Sequence, residues 1–238
     1  MAPARDVTFD GPGGPVPGAA AAPEGKPKGG VVVVQEAFGL TGHIRNVCSR
    51  LAEAGYLAAA PALFHRQGAP VLGYDEIDKA MPVMGTLRAD EILSDVSATV
   101  AYLEAEGVPS GKIGIVGFCM GGTIALVAAT ELPLAASVTY YGGGVEQGRF
   151  GFAPLAELAP GLRAPWLGLF GDQDASIPVD QVERLRSEAA KATVPTEVVR
   201  YPDAGHGFNC DDRSAFEPAS AADAWARTTA FFDRHLDA

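Results

Sequence analysis

The sequence has few cysteines, no excess of basic residues and no long apolar run. Its three cysteines, Cys48, Cys119 and Cys210, are too few and too scattered for a disulfide framework or a zinc site. A net charge of −11 argues against a nucleic-acid or anionic-membrane partner. No stretch reaches the roughly 20 apolar residues that span a bilayer, and no signal peptide is recognisable. We therefore expect a cytoplasmic protein with small-molecule partners.

The pattern of apolar residues predicts an α/β fold. Val31–Val34 is a β-branched run, typical of a central strand that is buried on both faces. Val7–Phe9 and Val16–Ala22 predict a hairpin at the sheet edge. Helical patterns alternate with the later strands, and these patterns include a long helix from about Ala89 to Glu106 that follows a loop. We expect a mostly parallel sheet with helices on both faces, within a single domain of residues 1–238.

The stretch Gly117-Phe118-Cys119-Met120-Gly121 lies between a predicted buried strand and a predicted helix of small residues. This is the context of an elbow of the form Gly-x-nucleophile-x-Gly. The turn is so tight that neither glycine can carry a Cβ, and the middle residue is held in a strained conformation over the end of the sheet. A helix N-terminus favours the thiolate form of a cysteine. The alternative is a buried cysteine in a glycine-rich turn.

Three further polar residues follow predicted strands. Glu36 comes shortly after the valine run, and Asp174 and His206 follow two later strands. Ligands of open parallel sheets bind beyond the carboxyl ends of the strands. The chain order of nucleophile, acid and histidine is that of α/β-hydrolases. A nucleophilic thiol needs a base, and the base needs an orienting carboxylate, so these positions together predict nucleophilic catalysis.

Several of these positions have alternative interpretations. Asp172 competes with Asp174 for the role of the acid, and we favour Asp174 because the carboxylate should follow its strand by several residues. His206 could be a surface-loop residue between two glycines, and Glu36 a solvated carboxylate. Cys48 lies on the apolar stripe of a helix and is expected in the core. Cys210 either lines the pocket or packs inside the protein.

The sequence resembles the dienelactone hydrolase (carboxymethylenebutenolidase) family of α/β-hydrolases over nearly its whole length. The motifs that carry the resemblance are Gln35-Glu36-Ala37-Phe38-Gly39, Gly117-Phe118-Cys119-Met120-Gly121-Gly122, Gly171-Asp172-Gln173-Asp174 and Ala204-Gly205-His206-Gly207-Phe208. The resemblance implies a triad of Cys119, His206 and Asp174, with Glu36 as an extra carboxylate that helps form the thiolate. It also implies an oxyanion hole made by the backbone N–H groups of Met120 and Ala37.

Members of this family that act on dienelactones bind a substrate carboxylate with arginines, one of them shortly after the triad histidine. Here Cys210 stands four residues beyond His206, and Arg213 follows three residues later. Arg66 and Arg88 are other candidate carboxylate-binding residues, and each can also be read as a solvated charge. We also predict that Phe38 contacts the substrate.

The sequence therefore predicts a hydrolase that opens a lactone or carboxylic ester through a thioester acyl-enzyme, without a metal or cofactor. Within enzymes, the alternative is a carboxylesterase or thioesterase with another acyl preference. From a different class, the alternative is a non-catalytic hydrolase fold that binds a small molecule. We expect a monomer or a small homo-oligomer.

Overall fold

The computed structural model describes residues 3–237, which form one eight-stranded sheet flanked by helices. The strands are β1 Arg5–Gly11, β2 Gly14–Ala21, β3 Gly30–Val34, β4 Leu57–Pro61, β5 Ile113–Phe118, β6 Ala136–Tyr140, β7 Trp166–Gly171 and β8 Thr196–Tyr201. The helices are α1 Gly42–Glu53, α2 Ile77–Met84, α3 Ala89–Ala105, α4 Met120–Glu131, α5 Leu155–Leu158, α6 Val179–Ala189 and α7 Pro218–Leu236.

The strand order is β1-β2-β4-β3-β5-β6-β7-β8. All pairs from β4 through β8 are parallel, whereas β1 and β2 form an antiparallel hairpin, and β2 joins β4 in antiparallel register. The predicted α/β fold, with a mostly parallel sheet covered by helices, is confirmed, and the hairpin lies at the sheet edge as expected. The parallel register brings the carboxyl ends of β3, β5, β7 and β8 to one edge of the sheet.

The centre of the sheet is fully buried. Val31–Val34 of β3 have no exposed surface, which confirms the prediction made from their β-branched run. The helix that follows β5 is buried on every side from Met120 to Thr130, so its small residues allow close packing against β3 and β6. Cys48 is also fully buried in the core, as predicted.

Helix α2 was not predicted, because the segment before α3 reads as a loop. The helix is short, contains Pro82 and buries only Ala80 and Met84, so it has no apolar stripe of the usual length. Ile77 is 44% exposed and Met81 is 52% exposed. Among the helices of residues 3–237, none combines the length and the apolar character needed to cross a bilayer.

Helix α7 starts earlier than its apolar pattern suggests. The pattern predicts a helix from about Ala221, whereas α7 begins at Pro218. The Glu217 carboxylate accepts hydrogen bonds from the backbone N–H groups of Ala219 and Ser220, at 3.2 and 2.7 Å. A side-chain cap and a proline in the first turn therefore add a turn that contributes little to the buried stripe.

The buried aromatic residues of α7 provide a test of the packing. Phe232 has no exposed surface, and its ring lies 5.9 Å from that of Tyr56. We expect Phe232→Ala to lower the free energy of unfolding by about 3–5 kcal/mol through lost burial and a cavity. Phe216, which is 37% exposed, is the matched control, and Phe216→Ala should cost much less. Denaturant unfolding measures both values, and equal losses would contradict the packing described here.

Candidate active site

Cys119 lies at the turn between β5 and α4, in a conformation that few non-glycine residues adopt. Its φ is 56° and its ψ is −116°. A Cβ on Gly117 would lie 1.8 Å from the backbone oxygen of Gly121, and a Cβ on Gly121 would lie 2.4 Å from that of Val34. The predicted need for glycine at both positions is therefore explained by backbone contacts. The Cys119 N–H donates to the Tyr140 carbonyl at 3.1 Å, which fixes the turn to β6.

His206 and Asp174 form a short polar contact in the site. His206 Nδ1 lies 2.6 Å from Asp174 Oδ2, and the Asp174 side chain is 2% exposed. The other carboxylate oxygen of Asp174 accepts hydrogen bonds from the Ser176 hydroxyl at 2.6 Å and from the Ser176 N–H at 2.9 Å. Both oxygens of Asp174 are therefore bonded, and its orientation toward the imidazole is fixed.

Asp172, the alternative acid, points elsewhere. Its two carboxylate oxygens accept hydrogen bonds from Arg200 Nε and Nη2, both at 2.7 Å. This bidentate pair joins the end of β7 to β8. The carboxylate that contacts His206 is thus Asp174.

The charges of the site depend on one another. Burial by itself lowers the pKa of His206, but Cys119 and the hydrogen-bonded Asp174 raise it to about 10. Burial would raise the pKa of Asp174, but the bonds from His206 and Ser176 lower it below its ordinary value. The surroundings of His206 therefore stabilise the imidazolium form.

Glu36 is fully buried and is held by an arginine. Its Oε1 lies 3.2 Å from Nη1 of Arg213, whose side chain is 19% exposed. The Arg213 guanidinium also lies over the ring of Phe38, at 5.6 Å. It packs so closely against Gly207 that a side chain at position 207 would collide with it. The second oxygen of Glu36, Oε2, is buried without a hydrogen-bond partner among the described residues.

Two backbone N–H groups follow β3 and β5, those of Ala37, which lines the same cleft as Cys119, and of Met120, the next residue after Cys119. Ala37 follows Glu36 at the end of β3, and Met120 is the first residue of α4. In the part of the chain that the structure describes, neither N–H has a hydrogen-bond acceptor. Met120 is in the first turn of α4, where N–H groups have no partner inside the helix and can bind an anionic oxygen.

Cys119, His206 and Ala37 line a cleft of about 580 Å³. The other residues that line it are Ile77, Met81, Met84, Gly85, Leu87, Arg149, Phe150 and Ser176. Ile77, Met81 and Met84 of α2 thus form an apolar part of the wall, and Arg149, Ser176 and His206 are its polar residues. Among residues 3–237, no three histidine, cysteine or acidic side chains are close enough to hold a metal ion.

The other predicted substrate-binding residues have different positions. Arg66 donates two hydrogen bonds to the buried Asp95, at 2.7 and 3.0 Å. Arg88 is exposed at the N-cap of α3, and neither arginine is among the described residues that line the cleft. Phe38 and Arg213 contact each other next to Glu36. All four remain predictions as substrate-binding residues.

Three residues of the site were not predicted from the sequence. Ser176 orients Asp174, and a serine two residues after an aspartate is a turn signal that could have revealed it. Tyr141 has a φ of 40°, its ring lies 5.1 Å from that of His206, and its buried hydroxyl has no partner in the described chain. Arg149 comes from the loop after β6, and no sequence pattern singles it out.

A cysteine elbow with a histidine beside it, at the carboxyl edge of a mostly parallel sheet, defines an α/β-hydrolase. Residues 16–236 match the Dienelactone hydrolase family, and the chain belongs to that family. It is a carboxylic-ester hydrolase of the dienelactone hydrolase type, as the resemblance implied.

Individual relatives cover most of the chain. It is 39% identical to a Yersinia pestis protein named "Putative carboxymethylenebutenolidase", over 86% of this chain and 78% of that protein. It is 32% identical to a Bradyrhizobium protein named "Probable 2-oxo-3-(5-oxofuran-2-ylidene)propanoate lactonase", over 87% of this chain and 84% of that one. The crystal structure of a "Putative Dienelactone Hydrolase" from Klebsiella pneumoniae superposes with a TM-score of 0.89, at 36% identity over 98% of both chains.

The raised pKa of His206 can be measured directly. We expect ¹⁵N NMR of the imidazole nitrogens to show that His206 is protonated at neutral pH and loses its proton near pH 10. The pKa of His206 is higher in the folded protein than its ordinary value of 6.5, so protonated His206 stabilises the folded state. This contribution to the free energy of unfolding is full below pH 6.5 and is lost as the pH rises through about 10. His43, whose pKa is lowered by burial, is the internal control. Deprotonation of His206 near its ordinary value of 6.5 would contradict this account.

Proposed function

We propose that the protein opens a lactone or carboxylic ester through a thioester formed on Cys119. The observation that carries this proposal is the position of Cys119 on its elbow, in one cleft with a histidine that is bonded to Asp174. Met120 follows Cys119 directly and Ala37 lines the same cleft, so their N–H groups are proposed to stabilise the oxyanion.

The steps follow from these groups. The Cys119 thiolate attacks the carbonyl carbon, and the oxygen becomes an oxyanion bound by the two N–H groups. The carbon–oxygen bond of the ester then breaks, and the His206 imidazolium gives its proton to the departing alcohol oxygen. A water molecule next gives a proton to His206 and adds its hydroxide to the thioester. Collapse of this second intermediate releases the carboxylic acid and restores the thiolate and the imidazolium.

Glu36 is proposed to help form the thiolate when substrate enters. It is a buried carboxylate at the end of β3, the strand next to the one that leads to Cys119. Its Oε2 has no hydrogen-bond partner among the described residues and is therefore available to accept a proton. Arg213 holds the other oxygen, so the reactivity of Glu36 depends on that ion pair.

The main proposal, a lactonase, and its nearest alternative, a carboxylesterase or thioesterase, differ in the acyl group that they accept. The Bradyrhizobium relative is named as a lactonase, which favours a lactone for this chain as well. The apolar wall of the cleft also suits a simple ester or thioester, so a carboxylesterase or thioesterase activity is the second candidate. Turnover of matched lactones, oxygen esters and thioesters distinguishes these activities.

The nucleophile is tested by labelling. We expect iodoacetamide to modify Cys119 alone and to abolish ester hydrolysis with the same time course. Cys48 and Cys210 should not react in the folded protein, because both are buried and burial raises the pKa values of their thiols to about 12 and about 11. Peptide mapping by mass spectrometry identifies the labelled thiol. Complete labelling of Cys119 with hydrolysis unchanged would disprove the proposed mechanism.

The acid is tested by a pair of isosteric substitutions. Asp174→Asn should lower kcat by up to about 10⁴-fold, since an amide no longer stabilises the imidazolium or fixes its tautomer. Asp172→Asn is the matched control, because within residues 3–237 that carboxylate bonds to Arg200 of β8 and not to His206. It should affect stability more than turnover. Steady-state kinetics on folded variants give the ranking, and the reverse order would assign the acid to Asp172.

A further inference from the structure

Two pairs of charged side chains join the segment after β3 to the segment after His206. The first pair is Glu36 with Arg213, at 3.2 Å. The second pair is His43, in the first turn of α1, with Asp211, where Nδ1 lies 3.7 Å from Oδ1. The His43 side chain is 3% exposed and that of Asp211 is 64% exposed, so this pair runs from the interior to the surface. Only the first pair takes part in the mechanism of thioester formation.

Each pair leaves one buried polar atom without a partner. Glu36 Oε2 and His43 Nε2 are both buried, and neither has a hydrogen-bond partner among the described residues. A buried polar atom without a partner costs free energy, so such atoms normally bond to each other or share an ordered water molecule. The two side chains are close enough for the charge of Glu36 to raise the pKa of His43. A hydrogen bond between them, direct or through water, would satisfy both atoms.

Packing holds the His43 ring beside the elbow. The ring lies edge-on to that of Phe118, the residue before Cys119, with the centroids 5.9 Å apart and the planes at 81°. The helix that carries His43 begins at its N-cap Thr41, whose Oγ1 accepts a hydrogen bond from the N–H of Ile44 at 3.4 Å. The imidazole therefore stays in place with one nitrogen toward the surface and the other in the interior.

The charges that face His43 leave it neutral at neutral pH. Burial has the largest effect and lowers the pKa of His43 below its ordinary value of 6.5. Glu36, at the end of β3, opposes this most strongly, and Asp211 comes next. Arg50 of α1 lowers the pKa of His43, and Asp212 raises it. Because such coupling is reciprocal, a proton on His43 makes it harder for Glu36 to take up a proton.

We propose that His43 is a positioning residue for Glu36 in the formation of the Cys119 thiolate. Neutral His43 bonds to Glu36 Oε2, directly or through one water molecule, and leaves that oxygen able to take the proton of the thiol. The S–H bond then breaks as an O–H bond forms on Glu36, and the reverse transfer restores the thiol. Protonated His43 instead donates to Oε2 and keeps Glu36 a carboxylate, so the thiol keeps its proton. This inference rests on the proposed function and adds a residue that controls its base.

Substitutions that match one ring nitrogen at a time test this role. The amide of glutamine reaches the position of Nε2, whereas that of asparagine reaches only the position of Nδ1. At neutral pH, His43→Gln should acylate Cys119 within about 3-fold of the wild-type rate, and His43→Asn should be about 10-fold slower. Single-turnover reactions with an aryl ester measure acylation, and deacylation, which starts from the thioester, should not change. His65→Gln, in the separate pair of His65 and Asp95, is the matched control.

The pH dependence of acylation distinguishes this role from a structural one. In the wild type, the rate should fall as the pH drops through the pKa of His43, below 6.5, because the protonated ring holds Glu36 as a carboxylate. His43→Gln cannot be protonated and should keep its rate to lower pH. In a Glu36→Gln background, His43→Asn should have no further effect. An acid limb that is the same in the wild type and in His43→Gln, or equal rates for His43→Gln and His43→Asn, would overturn the proposal.

A second measurement does not depend on hydrolysis. In ¹⁵N NMR titrations, the pKa of His43 should be lower in Glu36→Gln than in the wild type, with a smaller decrease in Asp211→Asn. An unchanged pKa in Glu36→Gln, with a decrease in Asp211→Asn, would show that His43 and Glu36 are not coupled and would overturn the proposal. If no ester acylates Cys119 while Glu36→Gln lowers the pKa of His43, the proposed function fails and the coupling of His43 with Glu36 stands.

Discussion

The close contact between the backbones of Gly117 and Gly121 is the constraint on which the site depends. It allows β5 to turn into α4 within a few residues and gives Cys119 its positive φ. The hydrogen bond from Cys119 to Tyr140 then fixes the turn to the neighbouring strand. The thiol is therefore positioned by the packing of β5, α4 and β3 around it. Polar contacts within the site act on a nucleophile whose place is already set.

The strand order determines which polar groups reach that thiol. Because β3 pairs with β5, the residues that follow β3 come beside the elbow, and these are Glu36 and Ala37. Asp174 and His206 arrive from β7 and β8, on the other side of β6. Tyr141 fills the space over the end of β6, with its ring against that of His206. The site thus draws on segments far apart in the chain, which the parallel register brings to one edge.

Much of this could be predicted from the sequence, because strand ends in a parallel sheet share an edge. The valine run, the glycine elbow and the polar residues after β3, β7 and β8 each carry a local signal. Helix α2 carries none, because Ile77 and Met81 face the cleft and are about half exposed, which leaves only Ala80 and Met84 buried and no long apolar stripe. The pairing of Arg213 with Glu36 depends on how the chain turns after His206, and no local pattern encodes it. Arg149 was missed for the same reason.

The pairing of Glu36 with Arg213 also constrains how the site can change in evolution. The two partners are not equivalent, since the carboxylate is fully buried and the guanidinium is 19% exposed. If Arg213 is replaced before Glu36, the Glu36 carboxylate is left as an unpaired charge in the interior, which is strongly destabilising. Loss of Glu36 first leaves a cation that water can still reach in part. If this ion pair is lost in evolution, we therefore expect Glu36 to be replaced before Arg213.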